Sequence, residues 1–305
     1  MTNKFLRHNI LAALALAVTL PMASCDDIEE ADRVIKGTPN SYDRTFETSS
    51  IEIDGETFSI NDEHKMLIAD FTGWKCVNCP TVAEAITKNI LPNYPSVLVS
   101  LHMTTNSFSM NHRNGYNCAS ADSIADWIYG SAIASQLPLP SVSIDNVVYN
   151  NNILNSNTTD LENLAASRFK ECNVDKTAPQ ANLSVNVKDN GNGSYAISTL
   201  VIYPKAKSCN IKLWLIEEGL ISTVQSSMNG YIQNYENHGI LRQVINGSYE
   251  GQDITLNADG QAVVHTNLNI SGKDYVAGNC RVVAFITDVN GRTIINSTEA
   301  HLTNE

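Results

Sequence analysis

The chain has 305 residues, with 20 lysines and arginines against 32 aspartates and glutamates, for a formal net charge of −12. A surface this acidic repels phosphate backbones, which argues against a nucleic-acid partner. The length suits two domains.

At the N-terminus, Lys4 and Arg7 precede the apolar run ILAALALAVTL, which ends at Pro21 and is followed by Met-Ala-Ser-Cys. That order is a positive region, an apolar region and small residues before a cleavage point. The run is too short to remain in a bilayer as a spanning helix. Ala23, Ser24 and Cys25 resemble a bacterial lipobox, so residues 1–24 read as a lipoprotein signal peptide and Cys25 as the lipid-bearing residue. The alternative is an ordinary signal peptide with a chance cysteine. Cleavage removes two positive charges and no negative ones, taking the net charge from −12 to −14. A cysteine carrying more than one acyl chain anchors stably, which makes the membrane the expected partner. Residues 25–44, with DDIEEADR and then Gly37 and Pro39, read as an acidic tether.

With Cys25 assigned to lipid, Cys76, Cys79, Cys118, Cys172, Cys209 and Cys280 remain, an even number for an oxidising compartment. Connectivity is not legible in a sequence. Pairing Cys118 with Cys172 and Cys209 with Cys280 would keep each bond inside one domain.

The first domain is expected over 45–175. SSIEIDGETFSI alternates around Asp54-Gly55, a hairpin signal. KMLIADFT, residues 65–72, is an apolar run of strand length, and Gly73 ends it. GWKCVNCP follows, residues 73–80, with Pro80 where a first helical turn tolerates proline. Val82, Ala85, Ile86 and Ile90 lie on one face of a predicted helix, and SVLVSLHM is the next strand. Strand, CxxC at a helix start, helix and strand make a βαβ unit with parallel strands. A polar insertion and a helix, ADSIADWIYGSA, separate this unit from SQLPLPSVSIDNVVYN, where Pro140 immediately precedes a strand. TDLENLAASRFKEC closes the domain as a helix, with Thr159 and Glu162 as a capping box.

The CxxC admits three meanings: a redox centre, half of a metal site, or a staple. A structural zinc site needs four ligands, and neither a second pair nor His102 and His112 supplies them at ligand spacing. Haem attachment needs a histidine after Cys79, where Pro80 stands. No metal or cofactor is therefore expected. A cysteine at a helix N-terminus has its thiolate favoured. Cys76 would be the exposed nucleophile with Lys75 adding positive charge, and Cys79 the resolving thiol.

The second domain is expected over 178–305. Short strands with Gly/Asn turns, among them NIKLWLIEE, CRVVAFITD and the Asn290-Gly291 hairpin, indicate an antiparallel β-sandwich with Trp214 in its core. The segment Tyr231–Gly251 reads as a long loop, with His238 and Arg242 as polar binding candidates.

ADFTGWKCVNC resembles the thioredoxin signature, with Asp70 six residues before Cys76 and a tryptophan just upstream of the pair. Trp74 is one residue early, Lys75 takes its usual place, and Pro80 follows the second cysteine directly. The resemblance implies that Asp70 lies buried beneath the pair and takes a proton from Cys79, and that Pro140 is cis and packs against the CxxC. FTGWKCVNCP, YENHGILR with Gly247 downstream, and VVAFITD resemble a Bacteroidetes outer membrane lipoprotein family, named for a 28-kDa outer membrane protein. The fold class implied is α/β plus all-β, a thioredoxin-like N-terminal domain followed by an antiparallel Ig-like β-sandwich. The location implied is the outer membrane, lipid-anchored and surface-exposed, and the acidic residues after Cys25 resemble that group's surface-export signal. Two functions fit: thiol–disulfide exchange with a protein thiol or disulfide as partner, or surface binding and adhesion in which the CxxC is a structural disulfide.

Overall fold

The described residues of this computed structural model are 46, 48–204 and 206–303. The signal peptide (1–24), Cys25 and the tether (25–44) lie outside them. Strands β1 (Thr48–Ile53) and β2 (Glu56–Asn61) form a hairpin whose turn residues, Asp54 and Gly55, take φ of 53° and 79°. A two-residue turn needs positive φ at both positions, which Asp-Gly tolerates. β3 (Met66–Thr72) is buried on both faces, so its sequence runs apolar instead of alternating. Helix α1 (Cys79–Ala85) continues as a π-helical stretch through Ile86–Ile90 and leads to β4 (Ser96–His102), parallel to β3 from Met66↔Ser96 to Thr72↔His102.

Helix α2 (Ala119–Tyr129) stops at Gly130, which takes the left-handed cap conformation. β5 (Ser141–Ile144) lies antiparallel on the other side of β3. Helix α3 (Thr158–Phe169) begins earlier than its predicted capping box. Asn157 is the N-cap, its side chain accepting from the Asp160 amide, while Glu162 accepts from Asn89 at 2.7 Å. Asparagine is among the strongest N-caps, and it displaces Thr159 from the role. One face of β3, β4 and β5 packs on α1 and α3 through Ile68, Ile86, Leu98, Val142 and Leu164, and the other face of β3 and β4 packs on α2.

The remaining chain is all β: β6 (Asn182–Gly191), β7 (Ser194–Ile202), β8 (Ser208–Glu217), β9 (Leu220–Ser227), β10 (Gly230–Asn237), β11 (Ile240–Val244), β12 (Gln252–Thr255), β13 (Gln261–Asn269), β14 (Cys280–Thr287) and β15 (Ile294–His301). The sheet β13-β7-β6 faces β8, β12, β14 and β15 across a core of Leu183, Val201, Leu213, Ala284 and Ile295, the β-sandwich expected of this half. Trp214 is fully buried, edge-on to Phe285 at 4.6 Å, but it lies on the opposite face of β8 from the sandwich core, in the cluster shared with α2, β3 and β4.

Tyr231–Gly251 is not a loop. It carries most of β10 and all of β11, and β11 joins the two halves of the chain: the main sheet runs β15-β14-β8-β11-β4-β3-β5. Polar GYIQNYEN has no apolar face to announce β10, and β11 is only five residues long. Gly239 permits the join. Its φ is 61°, its carbonyl accepts from the Ser100 amide at 2.7 Å, and a Cβ there would collide with the Leu98 carbonyl. The far end of the sheet returns to the start of β3, where the amide and hydroxyl of Ser297 donate to the Lys65 carbonyl at 3.2 and 2.6 Å.

The expected disulfides Cys118–Cys172 and Cys209–Cys280 do not form, and all four cysteines are free thiols. Cys209 and Cys280 stand at opposite ends of the β8–β14 ladder, which runs from Cys280↔Glu217 to Thr287↔Asn210. Eight residues of strand separate them, about 25 Å, against the ~4–7 Å between Cα atoms that a disulfide requires. Cys118 packs beside α2 and Cys172 beyond α3, on opposite sides of the sheet.

Asp145, just after β5, is fully buried and holds several segments together. It accepts from His64 Nε2 at 2.7 Å, Arg168 Nε at 2.9 Å and the Leu67 amide at 2.8 Å, and its carbonyl accepts from the Ile294 amide. Arg168 also donates to the Ile294 carbonyl at 3.1 Å. Burial pushes the Asp145 carboxyl up, but His64 and Arg168 outweigh it and hold the group below the ordinary carboxylate range. Its stabilising effect is therefore full at neutral pH and lost as pH falls through that depressed value. Asp145→Ala, which strands the buried Arg168 charge, should cost about 3–5 kcal/mol in urea unfolding at pH 7 and leave a protein whose stability falls less on acidification.

Candidate functional site

The end of β3 and the loop after it gather the residues that the CxxC motif drew attention to. Asp70 is the fifth residue of β3 and is 3% exposed. Pro140 follows a cis peptide bond and stands one residue beyond the Phe71↔Ser141 pair, at the same end of the sheet. Cys76 and Cys79 are joined by a disulfide, Cys79 being the first residue of α1.

The loop between is pinned from three directions. The Cys76 amide donates to the Gly73 carbonyl at 3.0 Å, closing a turn. The Lys75 amide donates to the Phe108 carbonyl and Trp74 Nε1 to the Met110 carbonyl, so the polar insertion forms one wall. Any side chain at Gly73 would run into the Phe108 carbonyl. From the opposite side comes the β9–β10 hairpin. Gln225 Nε2 donates to the Gly73 and Cys76 carbonyls at 3.1 and 3.2 Å, and the Ser226 amide donates to the Trp74 carbonyl at 2.8 Å. The insertion holds this hairpin in turn: the Thr223 amide donates to Asn114 Oδ1, Tyr116 donates to the Ile221 carbonyl, and Ser222 Oγ lies 3.2 Å from His112 Nε2.

Beneath this cover Cys76 is 2% exposed and Cys79 1%. The expected exposed nucleophile is therefore a buried half-cystine, and the residues open to solvent are Val77 and Asn78. The Lys75 ammonium lies 4.9 Å over the Trp74 ring. Burial raises the Asp70 carboxyl to about 7, and its Oδ1 has no hydrogen-bond partner. Tyr235 of β10 belongs to the same environment, its phenol raised first by burial and then by the Asp70 and Glu84 carboxylates.

His102 and His112, far apart from any ligand spacing in the sequence, meet edge-on at 5.1 Å beside Trp74. Burial lowers them to about 3 and about 4, so both rings are neutral. Gln225, Tyr235 and this histidine pair were not singled out as site residues from the sequence. The Asn229-Gly230 dipeptide, a hairpin signal, was the one local clue to the covering element.

The other binding candidates are otherwise engaged. Arg242 pairs with Glu217 at 3.3 Å and Asp274 at 2.7 Å and stacks on Tyr275, and His238 lies 3.7 Å from Glu218. Among the described residues, His64, Asp145 and Cys172 cluster closely enough to hold a metal ion. Arg168 Nε already supplies positive charge there, 2.9 Å from Asp145 Oδ2.

The chain has the overall fold of HBP35 of Porphyromonas gingivalis, with a TM-score of 0.62 at 14% identity over 79% of this chain and 76% of that one. A domain of the outer membrane lipoprotein Omp28 from Porphyromonas gingivalis aligns over 41% of this chain and 88% of its own, at 14% identity and a TM-score of 0.29. No curated protein matches the chain. The family model of outer membrane protein Omp28 matches residues 139–305, more than half of the sequence. The chain thus belongs to the Omp28 family, and its place is the outer membrane.

Proposed function

We propose that this protein is a lipid-anchored, surface-exposed binding protein whose N-terminal half is thioredoxin-like and whose Cys76–Cys79 disulfide is structural. The observation that carries the reading is the burial of both sulfurs, 2% and 1% exposed by residue, under a hairpin hydrogen-bonded across the CxxC loop. Thiol–disulfide exchange requires a thiolate to reach a sulfur in line, and a covered pair denies that approach. Support for the thioredoxin-like half comes from the parallel β3–α1–β4 unit, the antiparallel β5 after Pro140, and Asp70 at the end of β3.

A second reading, exchange with Cys76 attacking and Cys79 resolving, draws on Asp70. A carboxyl near neutrality with an unpartnered oxygen is suited to taking a proton from a resolving thiol. The same burial has a cost in the structural reading, because the charged form of Asp70 is disfavoured only in the folded protein.

The anchor rests on Cys25, and no helix among the described residues is long and apolar enough to cross a membrane. Cys25→Ser should move the protein from the membrane to the soluble fraction, and protease added to intact cells should shed the native form. Retention of Cys25→Ser in the membrane rules out lipid as the anchor.

The reduction potential of the purified protein should lie below about −300 mV, the range of inert structural disulfides. A value between about −270 and −120 mV, with insulin reduction lost in Cys76→Ser, would establish the exchange reading instead. For Asp70 the folded state holds its proton longer than the unfolded state, so stability should fall as pH rises from about 4 to about 7. The slope attributable to this group is about 1.4 kcal/mol per pH unit, and Asp70→Asn should remove it in denaturant titrations across that range.

A further inference from the structure

Away from the disulfide corner, a cleft of about 420 Å³ opens between α2, β8, β12 and the turn joining β14 to β15. That volume is in the range of small-molecule sites. One side of it is Lys212 of β8, which is 1% exposed. An ammonium has three N–H groups, and burying it without matching acceptors is costly. Among the described residues Nζ donates one hydrogen bond, to Asn210 Oδ1 at 2.6 Å. It otherwise lies against aromatic rings, 4.6 Å from the Trp127 centroid and 5.9 Å from that of Phe285. Asn210 is itself held in place, its Nδ2 donating to Asp253 Oδ1 at 2.8 Å.

Burial lowers Lys212 to about 8, with Asp253 and Glu250 pulling the other way, so the group is charged at neutral pH. The backbone at Gly251 comes close to this lysine: a Cβ there would fall 2.7 Å from Lys212 Cγ. Glu250, Asp253 and Arg292 are solvent-exposed, and Trp127 is half-buried. Arg292 lies directly on Gly130, where any side chain would displace its guanidinium. The cleft thus combines a buried cation, an aromatic wall, an exposed guanidinium, and side chains that both donate and accept.

We propose that this cleft binds a hexuronic acid, its carboxylate on the exposed Arg292 with the buried Lys212 ammonium adding its charge from behind Trp127, and its hydroxyls on Asn210, Asp253 and Glu250. The buried ammonium selects the acid group. The mixture of carboxylates, amide and guanidinium suits hydroxyls, which donate and accept in equal measure. The ligand reaches the cleft either as the free acid or as the end of a glycan chain. The cleft is built from residues separate from the disulfide corner, so the reduction potential of Cys76–Cys79 has no bearing on it.

The test is calorimetric titration of the full mature protein in detergent with D-glucuronate, its methyl glycoside, D-glucose and acetate. Saturable binding of glucuronate is expected, at least about tenfold tighter than glucose or acetate, since a charge-assisted hydrogen bond is at stake. Retention of the methyl glycoside identifies a chain end as the ligand, and its loss identifies the free acid; both support the site. Lys212→Met and Arg292→Gln should each weaken glucuronate about tenfold or more. Arg292 is exposed, so its variant reads binding without disturbing the fold, and a thermal melt of Lys212→Met separates unfolding from lost affinity. Absence of saturable binding at millimolar glucuronate, equal affinity for glucose, or unchanged affinity in Arg292→Gln overturns the proposal.

Discussion

A buried aspartate organises this molecule. Asp145 draws donors from residues just before β3, from within β3 and from α3, and its backbone engages the start of β15. A carboxylate with no solvent contact must find its counter-charges inside the protein, and Arg168 and His64 approach the same oxygen. The aliphatic clusters on either side tolerate many arrangements, whereas hydrogen bonds to a buried anion have direction and short range. The network therefore sets which strand ends meet.

The same logic of cover applies at that loop. A disulfide spanning three residues closes a short ring and constrains the unfolded chain little. Its setting gives it significance. Gln225 and Ser226 engage the loop carbonyls from one side, and Phe108 and Met110 from the other. Each contact satisfies a backbone group that would otherwise need water, and the two cysteines between them are buried.

The residues legible in the sequence were those whose neighbours are local or whose pattern is strong. The apolar run before Gly73, the Asp54-Gly55 turn and the buried Trp214 all behave as their periodicity and composition indicate. Polar strands were not legible. β10 has an exposed, mixed sequence, and its position is decided by contacts with residues about 110 positions away, such as Thr223 with Asn114 through its partner strand. Cysteine pairing failed for a related reason: a rule about domains does not report the distance along a β ladder.

By itself, the sequence determined the strand–CxxC–helix–strand unit, the β-rich second half and the family. All of these depend on periodicity, turn chemistry and short motifs, which act over a few residues. Only the tertiary structure decided that β11 links the two halves into one sheet, that Cys76 is buried, and that His102 meets His112 beside Trp74. It also decided that Lys212 lines a cleft beneath Trp127 instead of projecting into water. Accessibility is a property of the folded surface, set by segments distant in the chain, and no local pattern encodes which segment will lie on top.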